Sequence, residues 1–144
     1  MRQMKTVLSI AGSDPSGGAG LQADLKVFQQ AEVYGIGLIS LHTVQNTKGV
    51  KAVEPVSAEL LDMQLATLLE DLRPDAIKTG ALANAEQIEV LAKHLDKSLL
   101  VIDPVFSSTN GASFLDARSQ EALVEKLLPD SFLVTPNLLE AEIL

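Results

Sequence analysis

The 144-residue chain is 47 % hydrophobic but only 3 % aromatic, lacks Trp and Cys, and carries a formal net charge of −8. That composition supports a core of Leu, Val, Ile and Ala and argues against disorder, while the missing cysteines exclude a disulfide framework, a thiolate metal site and a Cys nucleophile. Lys and Arg form no basic stripe, so neither nucleic acid nor an anionic membrane is an expected partner.

The length fits one domain, residues 1–144, or a piece of a larger one. Met1 to Thr6 is short and basic and runs into a strand-like segment rather than the apolar stretch of a signal peptide. No apolar run approaches the roughly 18 residues that suggest a membrane span. A soluble, cytoplasmic protein is expected.

Strand and helix signals alternate along the chain. Thr6–Ala11 reads as a buried strand and Gly12–Gly20 as a Gly/Ser loop, after which Leu21, Leu25 and Phe28 recur at helical spacing through about Ala31. Gly35-Ile36-Gly37 opens a second strand, Leu38–Val44, and an extended segment follows at Val50–Pro55. Ser57 is placed to cap a helix whose Leu61, Leu65, Leu68 and Leu72 share a face. Ala76–Lys78 reads as a brief strand, and Asn84 with Gln87 as a capping box ahead of Ile88, Leu91 and Leu95. Leu99–Ile102 is a strand, Asp116 begins a helix that Pro129 ends, Phe132–Val134 is a last strand, and Pro136 starts a helix running to Leu144. This βαβα order implies an α/β fold with a mostly parallel sheet and helices on both faces.

The chemistry-bearing segments lie at strand ends. Ala11-Gly12-Ser13-Asp14-Pro15-Ser16-Gly17-Gly18-Ala19-Gly20 connects a strand to a helix, and its glycines let backbone approach a ligand where a Cβ would clash. So many glycines are entropically expensive in a mere connector, which favours a ligand loop. No Gly-Lys-Ser/Thr follows, and the spacing is not the dinucleotide fingerprint. Asp24 stands in the first turns of the next helix, where it either offsets the helix dipole or accepts hydrogen bonds from a ligand held at the loop. Gln45-Asn46-Thr47 ends a strand with amides suited to a heterocycle edge, or is simply a polar turn. Asp103-Pro104 ends another strand, as a turn or as an acid placed to hold Mg²⁺ or a water in its shell. Asn137-Leu138-Leu139-Glu140 reads first as a capping box. His42 and His94 carry no metal-ligand spacing, and Ser107, Ser108 and Thr109 lack a His relay.

Ser9–Phe28, Val44–Val50, Ile77–Ala83, Val101–Val105 and Thr135–Ala141 fall in the order found in hydroxymethylpyrimidine/phosphomethylpyrimidine kinases, thiamine-pathway members of the ribokinase-like fold, which the chain resembles along essentially its whole length. The resemblance implies ATP-dependent phosphorylation of 4-amino-5-hydroxymethyl-2-methylpyrimidine and then of its monophosphate, with Mg²⁺ as the metal and a homodimer as the assembly. It places Gly12, Ala19, Asp24, Thr43 and Gln45 around the pyrimidine, and Asp103, Asn137 and Glu140 near Mg²⁺ and the phosphates. Ala81 stands where family members often carry Met, and Ser107-Ser108-Thr109-Asn110-Gly111 replaces a segment often containing Lys. The resemblance also implies a C-terminal truncation: the family's Gly-Thr-Gly anion-hole loop and most of its adenine site belong to a second half that is absent here. The catalytic residues are therefore expected outside this chain, and residues 1–144 alone are expected to turn over little or nothing. The alternative is a non-catalytic pyrimidine-binding or dimerisation module; a dinucleotide oxidoreductase is disfavoured by the glycine spacing.

Overall fold

Side-chain alternation along the strands decides which face of the sheet each helix covers. The computed structural model describes residues 4–107 and 114–144. In chain order the elements are β1 (Thr6–Ser13), α1 (Gly20–Gln30), β2 (Tyr34–Asn46), β3 (Gly49–Pro55), α2 (Ala58–Asp71), β4 (Ala76–Thr79) and α3 (Ala85–His94). They continue with β5 (Leu100–Ile102), α4 (Ala117–Ala122), β6 (Leu133–Val134) and α5 (Leu138–Ile143). The sheet order is β3-β2-β1-β4-β5-β6. All neighbours are parallel except β2 and β3, which pair antiparallel.

On one face Leu8, Ile10, Ile36, Leu38, Ile77, Leu100 and Ile102 pack in a single buried cluster with Leu61 and Leu65 of α2, Ile88 and Leu91 of α3, and Leu123 and Leu127 beyond α4. The opposite face belongs to α1. There Gly35 and Gly37 present no side chain, and the Leu25, Phe28 and Leu21 side chains fill the space their Cβ atoms would need. The predicted stripe of Leu21, Leu25 and Phe28 is therefore the packing face, and β2 starts at Tyr34 because its glycines are strand residues and not a lead-in.

Local capping follows the sequence closely. Ser57, Asn84, Asp116 and Asn137 each accept a hydrogen bond from a backbone N–H of the helix they precede. Only half of the expected Asn84–Gln87 box forms. Asn84 accepts from the Gln87 N–H at 2.9 Å, but the Gln87 side chain turns away from Asn84. Fully buried, it accepts from the Ala83 N–H at 3.0 Å and donates to the Ser40 and Val56 carbonyls, both at 2.7 Å. It thereby ties α3 to the middle of β2 and the exit of β3. The helix begun at Asp116 passes after Ala122 into a π-helical turn, Leu123–Leu127, before Pro129. His94, late in α3, meets Asp62 of α2 at 2.7 Å. β6 is an edge strand with Leu133 half exposed, and Phe132, Leu138 and Leu139 beside it are exposed. None of the described helices is long and apolar enough to cross a membrane.

β1 is flanked by β2 on one side and β4 on the other. The chain leaves it over one face through α1 and returns to β4 over the other through α2. Strand order reverses at that point, and in open α/β sheets a crevice opens there outside the carboxyl ends of the strands.

Candidate functional site

A cavity of about 540 Å³ occupies that crevice, within the usual range for small-molecule sites. Its walls are the glycine loop after β1, the end of β2 with the turn into β3, and the segments following β4 and β5. Among the residues singled out from sequence, Gly12, Ala19, Thr43, Gln45 and Asp103 line it. Asp24, Asn137 and Glu140 do not.

The loop owes its shape to Asp14, a residue the sequence reading passed over. β1 runs on through Gly12 to Ser13, so the loop proper starts at Asp14, whose buried carboxylate accepts from the Ser16 hydroxyl and from the N–H groups of Ser16, Gly18 and Ala19 at 2.7–3.0 Å. Burial pushes the Asp14 carboxyl up, but these hydrogen bonds outweigh it and hold the group below its ordinary value. Gly20 closes the loop at φ +58°, where a Cβ would sit 2.2 Å from the Gly12 carbonyl oxygen. Gln22 accepts from the Asp14 N–H at 2.9 Å and donates to the Ser13 hydroxyl at 2.7 Å. Thr43 donates to the Ser13 carbonyl at 2.8 Å, fixing the β2 wall against β1.

The charged end of the cavity is built by register. Ser9 of β1 stands opposite Lys78 of β4, and Lys78 opposite Val101 of β5, so these side chains share the α1 face and Asp103 follows two residues on. From α1, Asp24 reaches down between them. Its carboxylate accepts from the Ser9 hydroxyl at 2.6 Å and from the Lys78 ammonium at 3.0 and 3.1 Å. The same ammonium lies 3.6 Å from Asp103. Burial raises the Asp103 carboxyl above its ordinary value; Lys78 opposes this and the charge on Asp24 reinforces it. Lys78 itself lines the cavity, so Asp24 stands one side chain behind the wall. A lysine inside the short strand Ala76–Thr79 was the available signal, since a charge there needs a partner.

Asn137 and Glu140 form the expected capping box: the Glu140 N–H donates to Asn137 at 3.0 Å and the Asn137 N–H to Glu140 at 2.8 Å. Of the serine-rich segment, 108–113 lies outside the described residues, while Ser107 and Phe114 border the cavity. No group of three His, Cys, Asp or Glu able to hold a metal occurs among the described residues.

Compared with known proteins, residues 14–144 match the family described as Phosphomethylpyrimidine kinase. The chain belongs to the phosphomethylpyrimidine kinase family. It is 48 % identical over 140 residues to the hydroxymethylpyrimidine/phosphomethylpyrimidine kinase of Bacillus subtilis, which covers 95 % of this chain and 52 % of that protein. The crystal structure of phosphomethylpyrimidine kinase from Clostridium difficile superposes with a TM-score of 0.85 at 43 % identity, over 96 % of this chain and 62 % of that one. Pyridoxal kinase from Staphylococcus aureus, solved in complex with AMP-PCP, gives 0.81 at 38 % identity over 98 % of this chain and 52 % of its own. The family is one of phosphotransferases and the fold is ribokinase-like, as the sequence motifs implied. The chain spans about half the length of the curated relatives it matches.

Proposed function

We propose that this chain supplies the acceptor-binding part of an enzyme that phosphorylates 4-amino-5-hydroxymethyl-2-methylpyrimidine and then its monophosphate, with ATP as donor. The observation that carries this reading is the cavity itself, where a loop braced by Asp14 and the polar end of β2 meet Lys78 and Asp103 across a space of about 540 Å³. Gln45 offers hydrogen bonds to a heteroaromatic ring, and Gly12 and Ala19 leave room for it. Asp24 belongs to the same site through its hold on Lys78.

In each transfer the acceptor oxygen bonds to the γ-phosphorus, the bond from that phosphorus to the bridging oxygen breaks and ADP leaves; in the first the hydroxyl proton is released, and in the second the acceptor is an oxygen of the monophosphate. Catalysis of such a transfer is chiefly positioning and charge stabilisation. The described residues perform the first part: they bind the acceptor and orient its oxygen toward Asp103. Mg²⁺ commonly keeps one or two carboxylates and takes its other ligands from phosphates and water. Asp103 fits that role, and the metal would supply charge neutralisation on the phosphates. Asn137 and Glu140, next to the carboxyl end of β6, are assigned to the nucleotide side with their capping bonds intact.

The test is transfer of labelled phosphoryl from ATP to the pyrimidine alcohol by the protein at its natural length, beside calorimetric binding of that alcohol to residues 1–144. Transfer that falls at least a hundredfold in Asp103→Asn supports the kinase reading. Binding without transfer at natural length would support a binding module, and absence of both would refute the assignment of the cavity.

A further inference from the structure

Among the described residues, the Asp24–Lys78–Asp103 row leaves one proton of the Lys78 ammonium without an acceptor. An ammonium has three N–H donors. Asp24 engages the group through both carboxylate oxygens, at 3.0 and 3.1 Å, whereas Asp103 at 3.6 Å is too far for a hydrogen bond. Lys78 is only 23 % exposed and Asp24 18 %, so the pair is held in a largely desolvated place, and Ser9 donates at 2.6 Å to the Asp24 oxygen nearest the ammonium. Gly80, two residues on, extends the cavity wall, and a Cβ there would come 3.1 Å from the Lys78 nitrogen. A cation so placed is open on one side only, toward the cavity and Asp103.

The cavity is polarised along its length. Gln45 and Thr43 stand at the β2 end, whereas Lys78 and Asp103 stand at the β4–β5 end. An acceptor whose ring meets Gln45 therefore directs its oxygen-bearing substituent to Lys78. We propose that Lys78 binds the oxygens of that substituent and discriminates by charge, favouring an acceptor that already carries a phosphate over the neutral alcohol, and that Asp24 and Ser9 are positioning residues acting through it. This rests on the reading of the cavity as the acceptor site. The physical reason is that a desolvated ammonium gains far more from a dianionic phosphate monoester than from a hydroxyl, because Coulomb attraction is weakly screened there. Asp24 keeps the ammonium from turning fully to Asp103, so a bound phosphate completes its coordination without displacing a stronger partner.

The test is isothermal calorimetry of the pyrimidine alcohol and of its monophosphate on the protein at natural length, in wild type, Lys78→Gln, Lys78→Arg and the double variant Asp24→Asn/Lys78→Gln. Lys78→Gln leaves the Asp24 carboxylate unpaired and can unfold the protein. The double variant leaves no stranded charge and carries the test in that case. The expected result is a monophosphate affinity weakened at least tenfold more than the alcohol affinity by loss of Lys78, with most of the difference restored by Arg. In steady-state assays the same bias appears in KM for the two acceptors, with kcat for the alcohol changed less. Equal weakening of both ligands, as a merely structural lysine would give, overturns the proposal, and so does no weakening. Wild type that binds neither ligand refutes the acceptor-site reading itself, which separates that failure from a failure of Lys78's role.

Discussion

Asp14 holds four donors of its own loop, and this arrangement has a pH signature. Its carboxyl is depressed in the folded protein relative to an unfolded value of about 3.9. A depressed acid contributes stability that is fully present above the unfolded pKa and lost as pH falls through the folded one. Urea titrations between pH 6 and 3 should therefore show wild type losing stability on the acid side, and Asp14→Asn starting lower but following a flatter curve; superimposable curves would refute the bracing role. Thr79 offers the opposite case. It is fully buried between Ile10 and Ile102 in the register, and its hydroxyl has no hydrogen-bond partner among the described residues. Thr79→Val keeps the shape and removes the unmet group, so thermal unfolding should show a gain of about 1 kcal/mol. A loss would mean that the hydroxyl is used.

Among the elements, the loop–α1 joint and the α3 anchor are the points where single changes are felt most. Gly20→Ala forces a left-handed backbone on a residue with a Cβ and drives that Cβ into the Gly12 carbonyl. The expected destabilisation is about 3 kcal/mol or more, measured by chemical denaturation, with loss of acceptor binding at temperatures where the fold persists. Gln87→Leu strands the Val56 carbonyl and the Ala83 N–H, while the Ser40 carbonyl keeps the Val56 N–H at 2.9 Å, and is expected to lose about 2–4 kcal/mol. Strand and helix order was legible in the sequence because Leu, Ile and Val recur at clear periods and Ser57, Asp116 and Asn137 sit where caps belong. Gln87 was not, since a capping-box pattern says nothing of a carbonyl 47 residues away that competes for the same side chain. The candidate site was legible on its β1 and β2 walls, where glycines and amides cluster locally. At its charged end Asp24 and Asp103 were singled out, but Ser9 and Lys78 were not, because the four meet only through sheet register and helix placement.

At the scale of the whole molecule, apolar exposure is concentrated at one end of the sheet. Phe132, Leu138 and Leu139 are 72, 77 and 70 % exposed around the edge strand β6. Exposed apolar side chains beside an unpaired strand edge promote association. Light scattering of purified residues 1–144 should show self-association that Leu138→Lys with Phe132→Lys reduces; a monodisperse wild type would refute this. The opposite side of the molecule is governed by something smaller. α1 lies against the sheet at a separation fixed by hydrogen atoms at Gly35 and Gly37, and that closeness is what lets Asp24 reach Lys78. A single methyl at position 37 would act as a shim: with Leu21 only 2.6 Å from where that carbon would stand, either the Leu21 side chain gives way or the helix lifts. The hold of Asp24 on Lys78 can thus be detuned from a residue that bonds to neither, by mechanical clearance alone.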